Sequence, residues 1–381
     1  MEKRIFLSPP DMCGEELRYV NKAFDANWIA PAGPDIDAFE KEICALTGAS
    51  HAVALASGTA ALHLSLIVNN AGPSDDIYCS SFTFAGSAFP ITYTGAHPVF
   101  IDSESNSWNM DPELLEKAVT DSIANKRTPK AVIVVHLYGQ CANLDAIQCV
   151  CKKYNLLLIE DAAESLGAIC GNVQTGTIGD FGIYSFNGNK IITTSGGGMI
   201  VGHNRELLDK IRYLSTQARE PFPYYHHTTI GYNYRMSNVS AAIGRGQLTS
   251  LESKVEKRRS IYEYYQKSLN GYNGITVMPR DTFGKANCWL TCITIDKSSS
   301  LTPDIVRLAL EKENIESRPL WKPMHLQPIF ANCKSFTNGV SEDLFDRGLC
   351  LPSGSSLSSD DLERIVEVVR GLTPQPPLRK R

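Results

Sequence analysis

The sequence predicts an α/β domain with a mostly parallel seven-stranded sheet, followed by a smaller α+β domain. Short, almost purely apolar runs alternate with helical segments as far as about Leu251. Such runs are typical of strands covered on both faces, and helical crossovers between them make the pairing mostly parallel. Beyond Leu251 the alternation stops and a charged helix begins.

In chain order, the first domain is assigned to residues 1–250. It starts with an N-terminal arm containing one helix at about 13–26. The strand candidates are His51–Ala56, Asp76–Ser81, Pro98–Asp102, Ala131–His136, Leu156–Asp161, Phe181–Phe186 and Gly198–Gly202. Segments such as TAALHLSLIV, DPELLEKAV and LDAIQCVCKKY between them have a helical pattern.

The second domain is assigned to residues 251–381. It contains the helix LESKVEKRRSIYEYYQKSL, the strand CWLTCITI, and the helices LTPDIVRLALEKEN and SSDDLERIVEVVRGL. This succession indicates an α+β domain placed after the first one. The final segment, TPQPPLRKR, is basic and rich in proline, which is typical of a flexible terminus.

The composition of the chain argues against some classes of binding partner. The 381 residues carry a net charge of -4, which argues against nucleic acid or a membrane surface as the main partner. No apolar run is long enough to span a membrane, and the start, MEKRIFLSPPDM, lacks the apolar core of an export signal. We therefore expect a cytoplasmic protein.

The cysteines number eleven, an odd total, and they are scattered without a paired CxxC set. We expect all of them to be reduced, mostly buried thiols, and we expect no metal site.

A first candidate site follows the first strand. Ser57, Gly58 and Thr59 make a turn directly before an Ala/Leu-rich helix. Free N–H groups at a helix start, with hydroxyls beside them, suit a phosphate. An ordinary helix cap explains the same residues equally simply.

A second candidate lies in IEDAAESLG. Asp161 ends a strand, where open α/β sheets place ligands, and a carboxylate there can hold a protonated ring nitrogen. Alternatively, Asp161 caps a helix starting at Ala162. Glu164 then either forms a capping box or faces the same ligand.

The third candidate is Lys190 in SFNGNKIITTSGGGM, five residues after the strand end at Ser185. A neutral amine at the rim of a buried site condenses readily with an aldehyde. No acidic residue lies within this stretch, and an ion pair would keep the amine protonated. The alternative is a solvated loop lysine.

A fourth candidate is the loop IGYNYRMSN, in which Asn233 and Arg235 need partners to be ordered. The loop also suits a role as a cap for the following helix.

Taken in order, these motifs resemble the sugar aminotransferases of the DegT/StrS family, which are fold-type I enzymes dependent on pyridoxal phosphate (PLP). The resemblance runs from FLSPPDMCGEELRYV to GLCLPSG and includes NWIAPAGP, SSFTFAGS, STQARE and RPLWKPMH. It points to the transaminases that make UDP-2-acetamido-4-amino-2,4,6-trideoxyglucose for N-acetylbactillosamine synthesis.

The resemblance implies a role for each cofactor residue. Lys190 attaches PLP covalently, Asp161 pairs with the pyridine nitrogen, and Phe82 stacks on the ring. Gly58, Thr59 and Ser185 hold the phosphate, and Asn233 reaches it from the second subunit of a homodimer. Glu164 lies beside the 3-oxygen, where many family members have glutamine. Relatives that remove a sugar hydroxyl have histidine instead of the lysine, so Lys190 favours amino transfer.

The resemblance also implies that L-glutamate donates the amino group to C4 of a UDP-2-acetamido-2,6-dideoxy-4-ketohexose. The residues it implies for this substrate are Asn27, Trp28, Ile29, Ala30, Ser57, Ser185, Asn233, Arg318, Trp321 and His325. Arg318 equally suits a surface ion pair, and Trp321 a place in the core. Two alternatives are another 4-keto nucleotide sugar with an axial amine product, and a regulator that binds ligands without turnover.

Overall fold

The computed structural model describes residues 3–372. Its helices are α1 (Glu16–Asp25), α2 (Pro34–Thr47), α3 (Gly58–Val68), α4 (Ala85–Tyr93), α5 (Pro112–Ala124), α6 (Leu144–Tyr154), α7 (Arg205–Ser215), α8 (Asn238–Leu248), α9 (Leu251–Leu269), α10 (Pro303–Lys312), α11 (Val340–Arg347) and α12 (Ser359–Arg370). Its strands are β1 (His51–Leu55), β2 (Asp75–Ser80), β3 (His97–Ile101), β4 (Thr128–Val135), β5 (Leu157–Asp161), β6 (Ile169–Cys170), β7 (Val173–Gln174), β8 (Phe181–Ser185), β9 (Gly198–Gly202), β10 (Ile275–Val277), β11 (Gly284–Lys285), β12 (Thr291–Ile295), β13 (Arg318–Pro319), β14 (Lys334–Phe336) and β15 (Gly348–Leu351).

The large sheet has the order β1-β9-β8-β5-β4-β2-β3-β14. From β8 to β14 neighbouring strands are parallel, while β9 runs antiparallel to both β8 and β1. Residues of α3, α4 and α7 join one apolar core on this sheet, and residues of α5 and α6 join another. The predicted α/β class with a mostly parallel, doubly covered sheet is therefore confirmed.

Within residues 3–372 the large sheet has eight strands, so the predicted number of seven is wrong. The eighth strand is β14, which pairs with β3 although it follows the smaller sheet along the chain. Met324 and Phe330 also join the core of the large sheet. The segment KSF is too short, and too exposed, to show the apolar run by which the other strands were recognised.

The smaller unit is built on a four-stranded antiparallel sheet of order β10-β12-β15-β13. Its apolar core includes residues of α9, α10 and α12. The terminal segment TPQPPLRKR lies outside the described residues. Within residues 3–372, no helix is both long enough and apolar enough to cross a membrane.

One pair of cysteines corrects the expectation that all eleven are reduced. Cys141 and Cys170 form a disulfide, with their Cα atoms 5.8 Å apart. Cys170 belongs to β6, in a small sheet of order β11-β6-β7 that lies beside the loop after β4. The pairing depends on this long-range packing, which residue spacing does not reveal.

Candidate active site

A cavity of about 940 Å3 lies at the carboxyl ends of β1, β5 and β8. These three strands run in the same direction, so their ends meet at one edge of the sheet. The residues just beyond them line the cavity, together with the N-terminal arm and parts of the smaller unit. The structure thereby brings together the predicted residues Ser57, Gly58, Thr59, Asp161, Glu164, Ser185, Lys190, Arg318 and Trp321.

The start of α3 forms one wall. Ser57 has extended backbone, and its Oγ accepts a hydrogen bond from the N–H of Ala60 at 3.0 Å. Ser57 is thus the N-cap of α3, as the interpretation of these residues as an ordinary helix cap predicted. The N–H groups of Gly58 and Thr59 lie in the first turn, where no intrahelical acceptor is available. Because these residues and Ser185 line the cavity, the cap is compatible with an anion site at the same place.

Asp161 is the last residue of β5 and is 6% exposed. Its Oδ2 accepts a hydrogen bond from the Ser87 hydroxyl at 2.7 Å, and its Oδ1 accepts one from the Ala163 N–H at 3.1 Å. No α-helix begins at Ala162, so the alternative of a helix cap does not apply. Asp161 instead presents a buried, hydrogen-bonded carboxylate to the cavity.

Lys190 does have an acidic neighbour, contrary to the expectation from its own stretch. Its Nζ lies 3.6 Å from Oε1 of Glu164 and 4.1 Å from the centre of the Trp289 ring. The lysine side chain is only 11% exposed, so it is not a solvated loop lysine. The turn after β5 supplies the carboxylate, which is why the local sequence around Lys190 did not show it.

The structure places Phe84, and not Phe82, at the cavity wall. Phe82 is 1% exposed and packs in the core against Tyr138, with ring centres 6.4 Å apart. Phe84 is 61% exposed, and its ring centre lies 6.0 Å from that of Trp321. Phe82, which was expected to stack on the ring, is therefore outside the cavity, whereas Phe84, two residues further along, lines it.

Several predicted substrate residues do not line this cavity. His325 bonds through Nδ1 to the Ser81 hydroxyl at 2.6 Å and through Nε2 to Glu342 at 3.1 Å, which occupies both ring nitrogens. His325 therefore lies outside the cavity with both ring nitrogens occupied, and its substrate role stays a prediction. The other residues that stay outside are exposed: Asn27, Trp28, Ile29, Ala30 and Asn233.

Sequence reasoning missed several lining residues, among them Ser87, Trp289 and the arm segment 6–10. The Ser87 hydroxyl was detectable as part of the motif SSFTFAGS, which the resemblance already marked. Trp289 offered no such signal, because it was assigned to the strand candidate CWLTCITI, whereas the strand begins at Thr291. Arg235 was recognised as needing a partner, and it donates to Glu40 at 3.1 Å.

The donor set fits pyridoxal phosphate. The first turn of α3 and the hydroxyls of Thr59 and Ser185 suit its phosphate, and the Asp161 carboxylate suits its ring nitrogen. Lys190 supplies an amine for its aldehyde. Within residues 3–372, no group of three His, Cys, Asp or Glu side chains is placed to hold a metal ion.

Glu164 is the most perturbed acid of the site. Burial raises its pKa to about 7, although the nearby charge of Lys190 acts in the opposite direction. Its Oε2 accepts a hydrogen bond from the N–H of Tyr138 at 2.7 Å. Tyr138 has a positive φ of 53°, which is unusual for a residue with a side chain. The carboxylate thus links the lysine to a strained turn after β4.

Glu164→Gln is expected to make stability less dependent on pH in the cofactor-free protein. Between the ordinary pKa of 4.5 and about 7, folded Glu164 keeps a proton that the unfolded chain has lost. Wild-type stability therefore falls as pH rises through this window, by up to about 3 kcal/mol, and glutamine removes that loss. Thermal unfolding of both proteins at several pH values measures this difference in pH dependence.

The control for this experiment is Glu363→Gln, which changes an exposed carboxylate. Its unfolding should follow the wild-type pH dependence. If Glu164→Gln does so as well, Glu164 does not titrate in this window.

Comparisons with known proteins agree with the geometry. Residues 10–370 match the model of the DegT/DnrJ/EryC1/StrS aminotransferase family. The chain is 49% identical to the putative pyridoxal phosphate-dependent aminotransferase EpsN of Bacillus subtilis, covering 97% of this chain and 96% of that protein. It is 36% identical to a GDP-perosamine synthase of Caulobacter vibrioides, over 95% of this chain and 96% of that protein.

A solved structure shows the same fold. The PLP form of the putative sugar aminotransferase Spr1654 from Streptococcus pneumoniae superposes with a TM-score of 0.88 at 26% identity, covering 97% of this chain and 98% of that one. The family match and this fold both support PLP as the cofactor, in agreement with the donor set of the cavity. The chain belongs to the DegT/DnrJ/EryC1/StrS aminotransferase family and is a PLP-dependent aminotransferase of keto nucleotide sugars.

Proposed function

We propose that this enzyme transfers the amino group of L-glutamate to C4 of a UDP-2-acetamido-2,6-dideoxy-4-ketohexose. The products are UDP-2-acetamido-4-amino-2,4,6-trideoxyglucose and 2-oxoglutarate. One observation carries the proposal: a single cavity contains Lys190, Asp161 and the start of α3 on one side, and Arg318 and Trp321 on the other. The choice of UDP sugar rests on the motifs quoted above.

Each reacting group has a defined task. When bound, PLP supplies an electron sink that allows an amino group to pass between two carbon skeletons. Lys190 attaches it and afterwards uses the free amine to move a proton on and off the reacting carbon. Asp161 keeps the proton on the ring nitrogen through its negative charge, and Ser87 holds its carboxylate in place. Glu164, beside Lys190, accepts or returns a proton near neutral pH.

The smaller unit supplies the substrate contacts. The Arg318 side chain is 70% exposed and pairs with Glu316 at 2.7 Å, so its guanidinium remains able to bind a diphosphate. Trp321 belongs to an aromatic group with Phe84 and Tyr138, with ring centres 6.0 and 5.0 Å away. Its exposed face suits the uracil or the sugar.

A homodimer completes the proposed site. Asn233 and the segment 27–30 are exposed, and neither lines the cavity of its own chain. Asn238 holds the segment 27–30 at the start of α8, because its Nδ2 donates to the Trp28 carbonyl and its N–H donates to the Ala30 carbonyl, both at 2.8 Å. Asn233 lies in the loop before the same helix, and we propose that this loop and the segment 27–30 reach the neighbouring subunit's phosphate and substrate.

A second candidate is a GDP-linked 4-keto sugar, because a GDP-perosamine synthase is 36% identical to this chain. The deciding experiment is an assay of the purified enzyme with L-glutamate and matched UDP, GDP and dTDP 4-keto sugars. We expect the UDP-2-acetamido sugar to react with a kcat/KM at least about tenfold above the others. NMR should show an equatorial amine at C4.

An axial amine, or a preference for the GDP sugar, would contradict the proposed substrate while leaving the aminotransferase assignment intact. Absence of amino transfer to every sugar in the panel, by protein that has bound PLP, would favour the regulatory alternative.

A further inference from the structure

A buried arginine lies behind the cavity. Arg258 of α9 is 1% exposed, and among residues 3–372 no carboxylate forms an ion pair with it. Its Nη1 donates to the carbonyls of Trp289 and, at 3.0 Å, Ser353, while its Nη2 donates to the Ser8 hydroxyl at 3.1 Å. Burial lowers the pKa of Arg258 to about 10, so it stays charged near neutral pH.

Two of these contacts lead to the same atom. Ser8 Oγ donates to the Asn189 carbonyl at 2.8 Å, and Trp289 Nε1 donates to the same carbonyl at 2.7 Å. This carbonyl belongs to the planar peptide unit that leads into Lys190. The Trp289 ring also lies 4.1 Å beneath the Lys190 amine. Arg258 therefore anchors both the backbone of Lys190 and the ring on which its side chain rests.

We propose that Arg258 is a positioning residue for Lys190, acting through Ser8 and Trp289. The inference rests on the proposed role of Lys190 as the lysine that attaches the cofactor. It links the N-terminal arm, the turn 187–190 and the smaller unit around one guanidinium. The Trp289 face provides a defined resting place for the ammonium form of Lys190 whenever the amine is not bonded to the cofactor.

The energetics indicate why an arginine occupies this place. A buried cation without a carboxylate partner lowers the stability of the fold. An apolar residue of similar size would stabilise the packing more. A planar guanidinium donates in several fixed directions, whereas a lysine ammonium is a point charge on a flexible stem. The three acceptors come from separate parts of the chain, so only the fork shape holds them in a fixed relation.

The test is the rate at which Lys190 captures added PLP after the bound cofactor has been removed, read by borohydride trapping and peptide mass spectrometry. We expect Arg258→Lys to capture PLP up to about 100-fold more slowly, because small misplacements of a reacting group carry such penalties. In the reloaded enzyme, kcat should fall while KM for the keto sugar stays within about threefold of wild type.

Arg259→Lys is the matched control. Arg259 is the next residue of α9 and also donates to a backbone carbonyl, that of Ala286 at 2.8 Å, which does not lead to Asn189. The variant Arg259→Lys should therefore leave the rate of PLP capture unchanged. Ser8→Ala serves as a milder variant if Arg258→Lys does not fold, and we expect its capture to be about three- to tenfold slower.

Normal capture rates in folded Arg258→Lys and Ser8→Ala would overturn the inference, even if both variants were less stable, because Arg258 would then have only a structural role. Trapping of the wild-type adduct on a different lysine would instead refute the proposed role of Lys190. The location of the adduct therefore distinguishes the two failures.

Discussion

Replacing Lys190 by alanine should reduce amino transfer at least about 1,000-fold, because the variant loses both the attachment point and the group that moves the proton. Lys190 is the one lysine among the described residues that lines the cavity. Its side chain is 11% exposed, and its Nζ lies 3.6 Å from Oε1 of Glu164. We also expect the protein to lose its covalently bound PLP, measured by borohydride trapping and by the visible absorbance of the cofactor.

Two further variants make this prediction specific. Lys190→Arg keeps the charge next to Glu164 but cannot supply a neutral amine, so it should be as inactive as alanine. Lys322→Ala removes an exposed lysine next to Trp321 and should retain full activity. Substantial activity in Lys190→Arg would show that the role of residue 190 is electrostatic and not covalent.

Asp161→Asn should lower kcat about 100- to 1,000-fold, the range seen when one preorganised electrostatic group is removed from an active site. Asparagine has nearly the same shape and can still accept a hydrogen bond from Ser87, but it carries no charge to keep a ring nitrogen protonated. The variant should therefore fold and bind PLP, with altered absorbance of the bound cofactor. Steady-state kinetics and absorbance spectra measure both effects.

Ser87→Ala is the matched control for Asp161. It removes the hydrogen bond of 2.7 Å to Oδ2 but leaves the carboxylate in place. We expect a smaller loss than for Asp161→Asn, of about 10- to 150-fold at most, since one hydrogen bond to a charged group contributes about 1.5–3 kcal/mol. If Ser87→Ala proved more damaging than Asp161→Asn, orientation of this side chain would matter more than its charge.

Much of the architecture followed from local sequence. All seven strand candidates of the first domain occur in the large sheet, because strands buried on both faces must be almost purely apolar. Asp161, Ser185 and Ser57 each stand at or just beyond the carboxyl end of a strand. Since the strands concerned run the same way, their ends were expected to meet, and they line one cavity.

Other features were decided by contacts between segments distant in sequence. β14 has three residues and becomes a strand only because β3 offers it an open edge. Phe82 and Phe84 have the same chemistry, and only packing against Tyr138 buries the first while the second faces the cavity. His325 was expected at the substrate, but Ser81 and Glu342 take both of its ring nitrogens.

Lys190 combines a feature that the local sequence determined with one that only the tertiary structure decided. Its position after Ser185, together with the order of the surrounding motifs, was sufficient to mark it as the reactive lysine of the proposed mechanism. Its environment was not determined in this way: Glu164, Trp289 and, through Trp289, Arg258 come from other parts of the chain. Local sequence determines apolar periodicity and strand ends, whereas the partners of a buried polar group depend on through-space distances that only the folded chain sets.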